Sequence, residues 1–455
     1  MPAGNYAAIL FACTLSGPVL AQSLDGLWTT AGYGDLLEIQ GGRLRMFETT
    51  SVSCRPSLTA ARQSGPPGDR EIVFKGDDGA TLRFSAGASA DDRRVHADGA
   101  ASDMLLHRAS AKPKSCLPPA ENTPQSNYAI FWQTFAENYA FFDLRHTDWR
   151  AVDAKFRPQV SSTTKPAELF AIFRQMVEPL HDAHIGIVAH DIKQNFFGRR
   201  PDPNHLETAD WSQAAKIIES KYVRGGLRTF CRGRVQFGML ANSIGYLRVT
   251  GFAGYVNSRE FADALRALQL ALDSIFGDAA HLRGLVIDVR LNTGGADPLG
   301  FEIASRLANE RYLAYSKITR VNLDGPLRFT APQESWIDPS TRPGFRGNVV
   351  LLTGPDTVSA GETFTMALFG RSPHVTRVGA NTQGVFSDVL ERRLPNGWAF
   401  WLPNEIYLTK DGKSFDGAGV PPETPLSFFS RDDLLANRDA ALDKALEILP
   451  VGKTN

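Results

Sequence analysis

Between residues 24 and 110, apolar and polar positions alternate with a period of two. Leu36-Leu37-Glu38-Ile39, Arg43-Leu44-Arg45-Met46-Phe47, Glu71-Ile72-Val73-Phe74 and Thr81-Leu82-Arg83-Phe84 are set between turn signals, the pattern of half-buried strands. Residues 22–112 are therefore expected to form a small all-β module, a short barrel or sandwich. A Lys/Pro-containing stretch, 113–124, reads as a linker. From 125 to 190 the period becomes helical. Phe131, Phe135, Tyr139 and Phe142 share one stripe, Trp149, Val152 and Phe156 continue it, and a third helix runs from Ala167 to Leu180 after Lys165-Pro166. A helical bundle with an aromatic core is the expectation.

Residues 191–240 are less patterned: a helix around Trp211 to Tyr222, then Arg/Gly-rich turns, together a connecting segment. Residues 241–455 read as an α/β core. Ile244 to Val249 is a strand, Glu260 to Phe276 an amphipathic helix and Gly284 to Arg290 a buried strand. A helix spans Leu299 to Leu307, and Val349-Val350-Leu351-Leu352 is a second buried strand. Shorter strands at Val375–Val378, Leu390–Arg393, Ala399–Leu402 and Glu405–Thr409 follow, the middle pair joined by a Pro395-Asn396-Gly397 turn. A Gly/Pro-rich loop from Phe415 to Pro422 and a helix from about Asp432 to Leu449 close the chain. The fold class is multidomain α/β.

Composition narrows the function. At 455 residues, with 43% hydrophobic and 22% charged positions, the chain is that of a globular protein with more than one core. Its 49 basic and 49 acidic residues cancel, which removes the electrostatic case for nucleic acid. No apolar run reaches the ~18 residues of a spanning helix. The apolar stretch Ala7 to Leu20, ending in Val19-Leu20-Ala21 before Gln22, reads as a signal peptide over 1–21, although no Lys or Arg precedes it. A periplasmic or secreted protein is expected. Cys54 and Cys116 flank the β-rich segment and would bridge in an oxidising compartment, contributing about 4 kcal/mol. Cys231 remains as a buried thiol.

Candidate chemistry collects at element ends. After the strand at 349 and a Gly-Pro-Asp turn, Ser359 stands where a helix begins. There its hydroxyl is exposed and the first-turn N–H groups can stabilise negative charge. Ser359-Ala360-Gly361-Glu362 also fits a capping box, which needs no chemistry. Gly294-Gly295 after the strand at 284 can turn backbone N–H groups toward a ligand, or simply make a left-handed turn. The two strand–turn–helix units are expected to present their loops on one edge of a sheet. Leu180-His181-Asp182-Ala183-His184 closes the bundle. Its histidine pair lacks a third metal ligand nearby, and His184 immediately precedes an apolar strand.

In their order these stretches resemble the tricorn-type and carboxyl-terminal-processing (tail-specific) serine peptidases. Phe131-Trp132-Gln133-Thr134-Phe135 through Asp148-Trp149, the His184 segment, Gly284 to Gly295, Thr357 to Glu362 and Gly419-Val420-Pro421-Pro422 carry the likeness, over roughly 126 to 425. The resemblance implies a peptidase core of ClpP/crotonase-like α/β fold, peptide or protein substrates and no cofactor or metal. The carboxyl-terminal-processing branch uses a lysine base where this chain has Val385, so a Ser-His-acid arrangement of tricorn type is implied instead. Ser359 is then the nucleophile, His184 the base and Asp416 the acid, with Ala360 and Gly294 or Gly295 as the oxyanion hole. Ala183 stands where that branch has a serine relay, and Asp416 where it has glutamate. His181 is a reserve base, Asp182 a turn cap. No peptide-docking PDZ module fits between 185 and 243. The alternatives are a non-catalytic binder of apolar ligands, as in the modules of interphotoreceptor retinoid-binding protein, and an esterase using the same serine.

Overall fold

The structure is a computed structural model, and it describes residues 24–63, 71–117, 120–199, 208–277, 279–321 and 327–449. The signal-peptide reading over 1–21 lies outside them.

Eight antiparallel strands close into a barrel: β1 (Gly26–Thr30), β2 (Asp35–Gln40), β3 (Arg43–Thr49), β4 (Cys54–Arg62), β5 (Ile72–Gly76), β6 (Thr81–Ala86), β7 (Asp92–Ala97) and β8 (Met104–Ala109). The period-two pattern is read out directly. Leu37, Ile39, Leu44, Phe74, Leu82, Phe84, Val95 and Leu106 point inward around the fully buried Trp28. Closure leaves no free sheet edge. Cys54 and Cys116 form a disulfide that ties β4 to the segment after the barrel.

Helices α1 (Pro124–Asn138), α2 (Trp149–Phe156) and α3 (Pro166–Val177) pack through the predicted aromatic stripe. Phe131 stacks on Phe173 with centroids 4.1 Å apart. Burying each such ring stabilises by about 2–3 kcal/mol. The bundle does not end at 190, however. Strands β9 (Gly186–Ala189) and β10 (Gln194–Phe197) join two strands from 200 residues later, giving a four-stranded sheet in the order β10-β9-β21-β20, with β20 (Val389–Arg393) and β21 (Ala399–Pro403). Leu390, Leu394, Trp398, Phe400 and Leu402 complete the aromatic core. A hairpin that sequence groups with the C-terminal core thus belongs, by packing, to the helices.

The seven-stranded sheet runs β11 (Arg224–Phe230), β12 (Val235–Met239), β13 (Ile244–Val249), β14 (Gly284–Asp288), β18 (Val349–Thr353), β19 (Val375–Gly379) and β23 (Thr424–Pro425). Its last five strands are parallel. Helices α4 (Thr208–Ile217), α5 (Phe261–Phe276), α6 (Asp297–Leu307) and α7 (Ala360–Ala367) accompany it. Strands β13, β14 and β18 are buried throughout, as central parallel strands are. The Arg/Gly-rich turns expected after Tyr222 are instead β11, an edge strand whose paired glycines mask the alternation, and β12, which lies between β11 and β13. The single C-terminal helix expected over 432–449 is two, α8 (Arg431–Leu435) and α9 (Ala440–Ile448). Asn437 at φ 53 breaks it, and Asp439 caps the second piece. Strands β15 (Tyr312–Val321), β16 (Arg328–Phe329), β17 (Gln333–Ile337) and β22 (Glu405–Leu408) make a further small sheet. It meets the barrel where Tyr33 Oη donates to Glu405 at 2.5 Å. Among the described residues no helix is long and apolar enough to cross a membrane.

Candidate active site

β14 and β18 are adjacent and parallel, with Leu285 opposite Val349 and Asp288 opposite Leu352. Their following turns therefore leave the same sheet edge side by side, as the sequence predicts. After β14, Asn292 is fully buried and acts as a strut. Its Nδ2 donates to the Val249 carbonyl at 3.1 Å, and its Oδ1 accepts from Gly294 N–H at 2.9 Å. Its own carbonyl accepts from Val358 N–H at 3.0 Å. Gly294 sits at φ 83, where an L side chain is strained, and a Cβ there would lie 2.6 Å from Ser359 Cβ. The left-handed turn and the close approach are thus one requirement, and only glycine meets both.

Ser359 has φ 57 and ψ −124, a conformation costly for any non-glycine residue. Its N–H donates to the Val385 carbonyl at 3.0 Å, and its carbonyl accepts from Glu362 N–H and Thr363 N–H in the first turn of α7. The serine hydroxyl makes no capping bond. The capping-box reading therefore fails in its serine half, and Oγ stays partly exposed beside Gly294. Glu362 has a different task as well. Buried completely, it accepts from Thr382 Oγ1 at 2.5 Å, Gly384 N–H at 2.6 Å and Val385 N–H at 2.7 Å. Burial pushes its carboxyl up to about 7 against those donors.

The segment held by Glu362 connects the three sequence candidates. Val385 accepts from Ser359, Phe386 N–H approaches Asp416 Oδ1 at 3.4 Å, and the Ser387 main chain hydrogen-bonds the His184 ring. Consecutive residues 385, 386 and 387 thus touch Ser359, Asp416 and His184 in turn. Desolvation lowers the His184 pKa, so its imidazole is neutral near pH 7, with Asp182 pulling the other way. His184 Nδ1 is buried without a hydrogen-bond partner. Asp416 makes no bond to it: Oδ2 takes the Ser414 hydroxyl at 2.8 Å. Burial raises the Asp416 pKa to about 8, and the nearby Glu362 and Asp182 charges push the same way. Asp416 and the His184 imidazole are therefore not in direct contact.

Asp182 caps its turn, accepting from His184 N–H at 3.0 Å, and also takes the Tyr139 hydroxyl at 2.9 Å. His181 is exposed, at φ 47. Among the described residues no group of three or more metal-ligating side chains occurs. Cys231 is a half-buried free thiol whose pKa burial raises to about 11. Two supporting residues escaped sequence reasoning. Asn292 was legible only as part of a glycine turn, and Glu362 was absorbed into the capping box. Lys317, the buried lysine of the neighbouring sheet, is engaged at 2.8 Å with Glu405.

Comparison with known proteins gives the family and the fold. Residues 243–426 match the model of peptidase family S41, and residues 120–178 match the tricorn protease C1 domain. Together they span more than half of the chain. Among solved structures, a candidate peptidase from Parabacteroides merdae ATCC 43184 superposes with a TM-score of 0.60 at 24% identity, over 72% of this chain and 97% of that one. Mature CPAF complexed with lactacystin gives a TM-score of 0.51 at 10% identity, over 72% and 97%. Both likenesses are of fold. No curated protein matches the sequence.

Proposed function

Because the chain belongs to peptidase family S41, the tricorn-type and carboxyl-terminal-processing serine peptidases, we propose that it cleaves peptide bonds through an acyl-enzyme on Ser359. His184 is the base and Asp416 the supporting acid. The observation that carries the reading is the run 385–387, which contacts Ser359, Asp416 and His184 in succession.

A serine hydroxyl is a weak nucleophile near neutral pH, so a base must take its proton as Oγ attacks the carbonyl carbon. A desolvated, neutral His184 suits that task, and positioned base catalysis contributes about 10²–10⁴ in rate. The C–N bond breaks as the imidazolium returns the proton to the leaving amine. Water then repeats the sequence in reverse to release the acid. Negative charge on the tetrahedral oxygen falls to the Ala360 N–H, at the start of α7, and to the Gly295 N–H. Gly294 drops out of the pair expected from sequence, since its N–H is already given to Asn292. Asp416 supports the imidazolium by its field, which requires its carboxyl to be ionised.

Export completes the proposal, supported by the apolar stretch before Gln22 and the Cys54–Cys116 bridge. Mass spectrometry of the mature N-terminus in the exported fraction checks it.

A fluorophosphonate probe tests the chemistry. Labelling of the wild type that vanishes in Ser359→Ala, with turnover down about 10⁶-fold, and drops steeply in His184→Ala is the expected result. A wild type that stays unlabelled while folded refutes it.

A further inference from the structure

One face of the four-stranded sheet is unaccounted for by the core. In β21, Phe400 and Leu402 point into the aromatic bundle, so Trp401 between them points away. Trp401 pairs with Gly186 on β9, and Gly186 pairs with Phe197 on β10. These three positions form one row across the sheet, and the row is aromatic–glycine–aromatic. Glycine is required in the middle: a Cβ at 186 would lie 2.0 Å from Trp401 Cζ2. The indole therefore lies over the bare backbone, with the Phe197 ring beside it at 5.8 Å and 39°. Phe197 is 53% exposed and Trp401 half-buried. An aromatic pair left open to water, over a position kept bare for it, forms a flat apolar platform.

Its place decides what lies on it. Gly186 is two residues beyond His184, so their Cα atoms are at most about 7 Å apart. In the mechanism proposed above, His184 delivers its proton to the leaving amine, so the peptide on the departing side of the scissile bond runs past this ring. One or two peptide residues span that distance. We infer that Trp401 and Phe197 form a specificity platform for a large apolar or aromatic side chain at the first or second substrate position after the scissile bond. The inference rests on the serine peptidase reading and adds the substrate class at its leaving-group side.

The test compares two peptide series on the full chain, one with Phe or Leu at those two positions and one with Gly or Ser. Fluorophosphonate labelling, whose probe has no peptide on that side, serves as the control. In Phe197→Ala and Trp401→Ala, kcat/KM for the apolar series is expected to fall about 10-fold, the scale of a lost apolar contact. The Gly/Ser series and the labelling rate stay unchanged, and Trp401→Phe recovers part of the loss. Equal loss in both series, or no loss in either, overturns the platform while labelling continues. An unlabelled wild type overturns the serine peptidase reading, and the platform with it.

Discussion

β14 with α6 and β18 with α7 are the same strand–turn–helix unit used twice, side by side on one sheet edge. At the first turn stand Gly294 and Gly295, at φ 83 and 134; at the second stands Ser359, at φ 57. Glycine adopts such conformations freely, whereas a serine there must be held. The difference lies in the surroundings. The glycine turn needs one strut, Asn292. The serine turn is held by that residue's carbonyl, by Val385 and, through Val385, by Glu362. One turn gives up its side chain so that the other can keep its own.

Giving the glycine turn a side chain erases this asymmetry. Gly294→Ala puts a methyl 2.6 Å from Ser359 Cβ at a positive φ. Peptidase kcat/KM is expected to fall about 100-fold, as misplacement by about an ångström does, with about 1–2 kcal/mol of stability lost. Steady-state kinetics beside thermal melts separate the two losses, and wild-type kinetics would refute the packing argument.

The support of the serine turn can be removed instead. Glu362→Ala leaves the Thr382 hydroxyl and the Gly384 and Val385 N–H groups without their acceptor. Denaturant unfolding should show a loss of about 3 kcal/mol, and fluorophosphonate labelling should slow with it. An unchanged labelling rate would mean that the 385–387 run keeps its shape without the clamp.

The mildest probe is pH. Burial raises Asp416 to about 8 and Glu362 to about 7, both above ordinary carboxyl values. A group whose folded pKa is raised stabilises below its unfolded pKa, and that stability is lost as pH rises through the folded value. These two acids therefore make stability decline between about pH 4 and 8. Asp416→Asn should flatten the upper part of that decline in melts taken across the range. Activity should move oppositely in the wild type: kcat/KM rises with an apparent pKa near 8 as Asp416 ionises, and the asparagine variant lacks that limb.

The fold's main divisions were legible because each has its own period. Inward residues such as Leu37, Ile39 and Leu44 alternate in the barrel, and Phe131, Phe135 and Tyr139 recur at helical spacing. Strands β11 and β12 were not: Gly225, Gly226 and the surrounding arginines carry no apolar alternation in β11, and the Val235, Phe237 and Met239 alternation of β12 is only five residues long. What makes them strands is pairing to β13 and to each other. The hairpin β20–β21 was recognised as strands but attributed to the wrong neighbours. Its Phe400 and Leu402 are apolar wherever they pack, and nothing local tells a sheet partner 200 residues upstream from one nearby.

By itself the sequence determined which residues were candidates for chemistry and what local element each would occupy: Ser359 at a helix start, glycines after a strand, His184 at the end of a bundle. Periodicity and turn preference are local, so one chain segment suffices to express them. Only the tertiary structure decided that Gly294 would yield its N–H to Asn292, that Glu362 would clamp a distant loop as well as face the start of its own helix, and that Asp416 would take the Ser414 hydroxyl. Each is a competition among donors and acceptors brought together from far along the chain, and burial, which sets its outcome, exists only once the chain has folded.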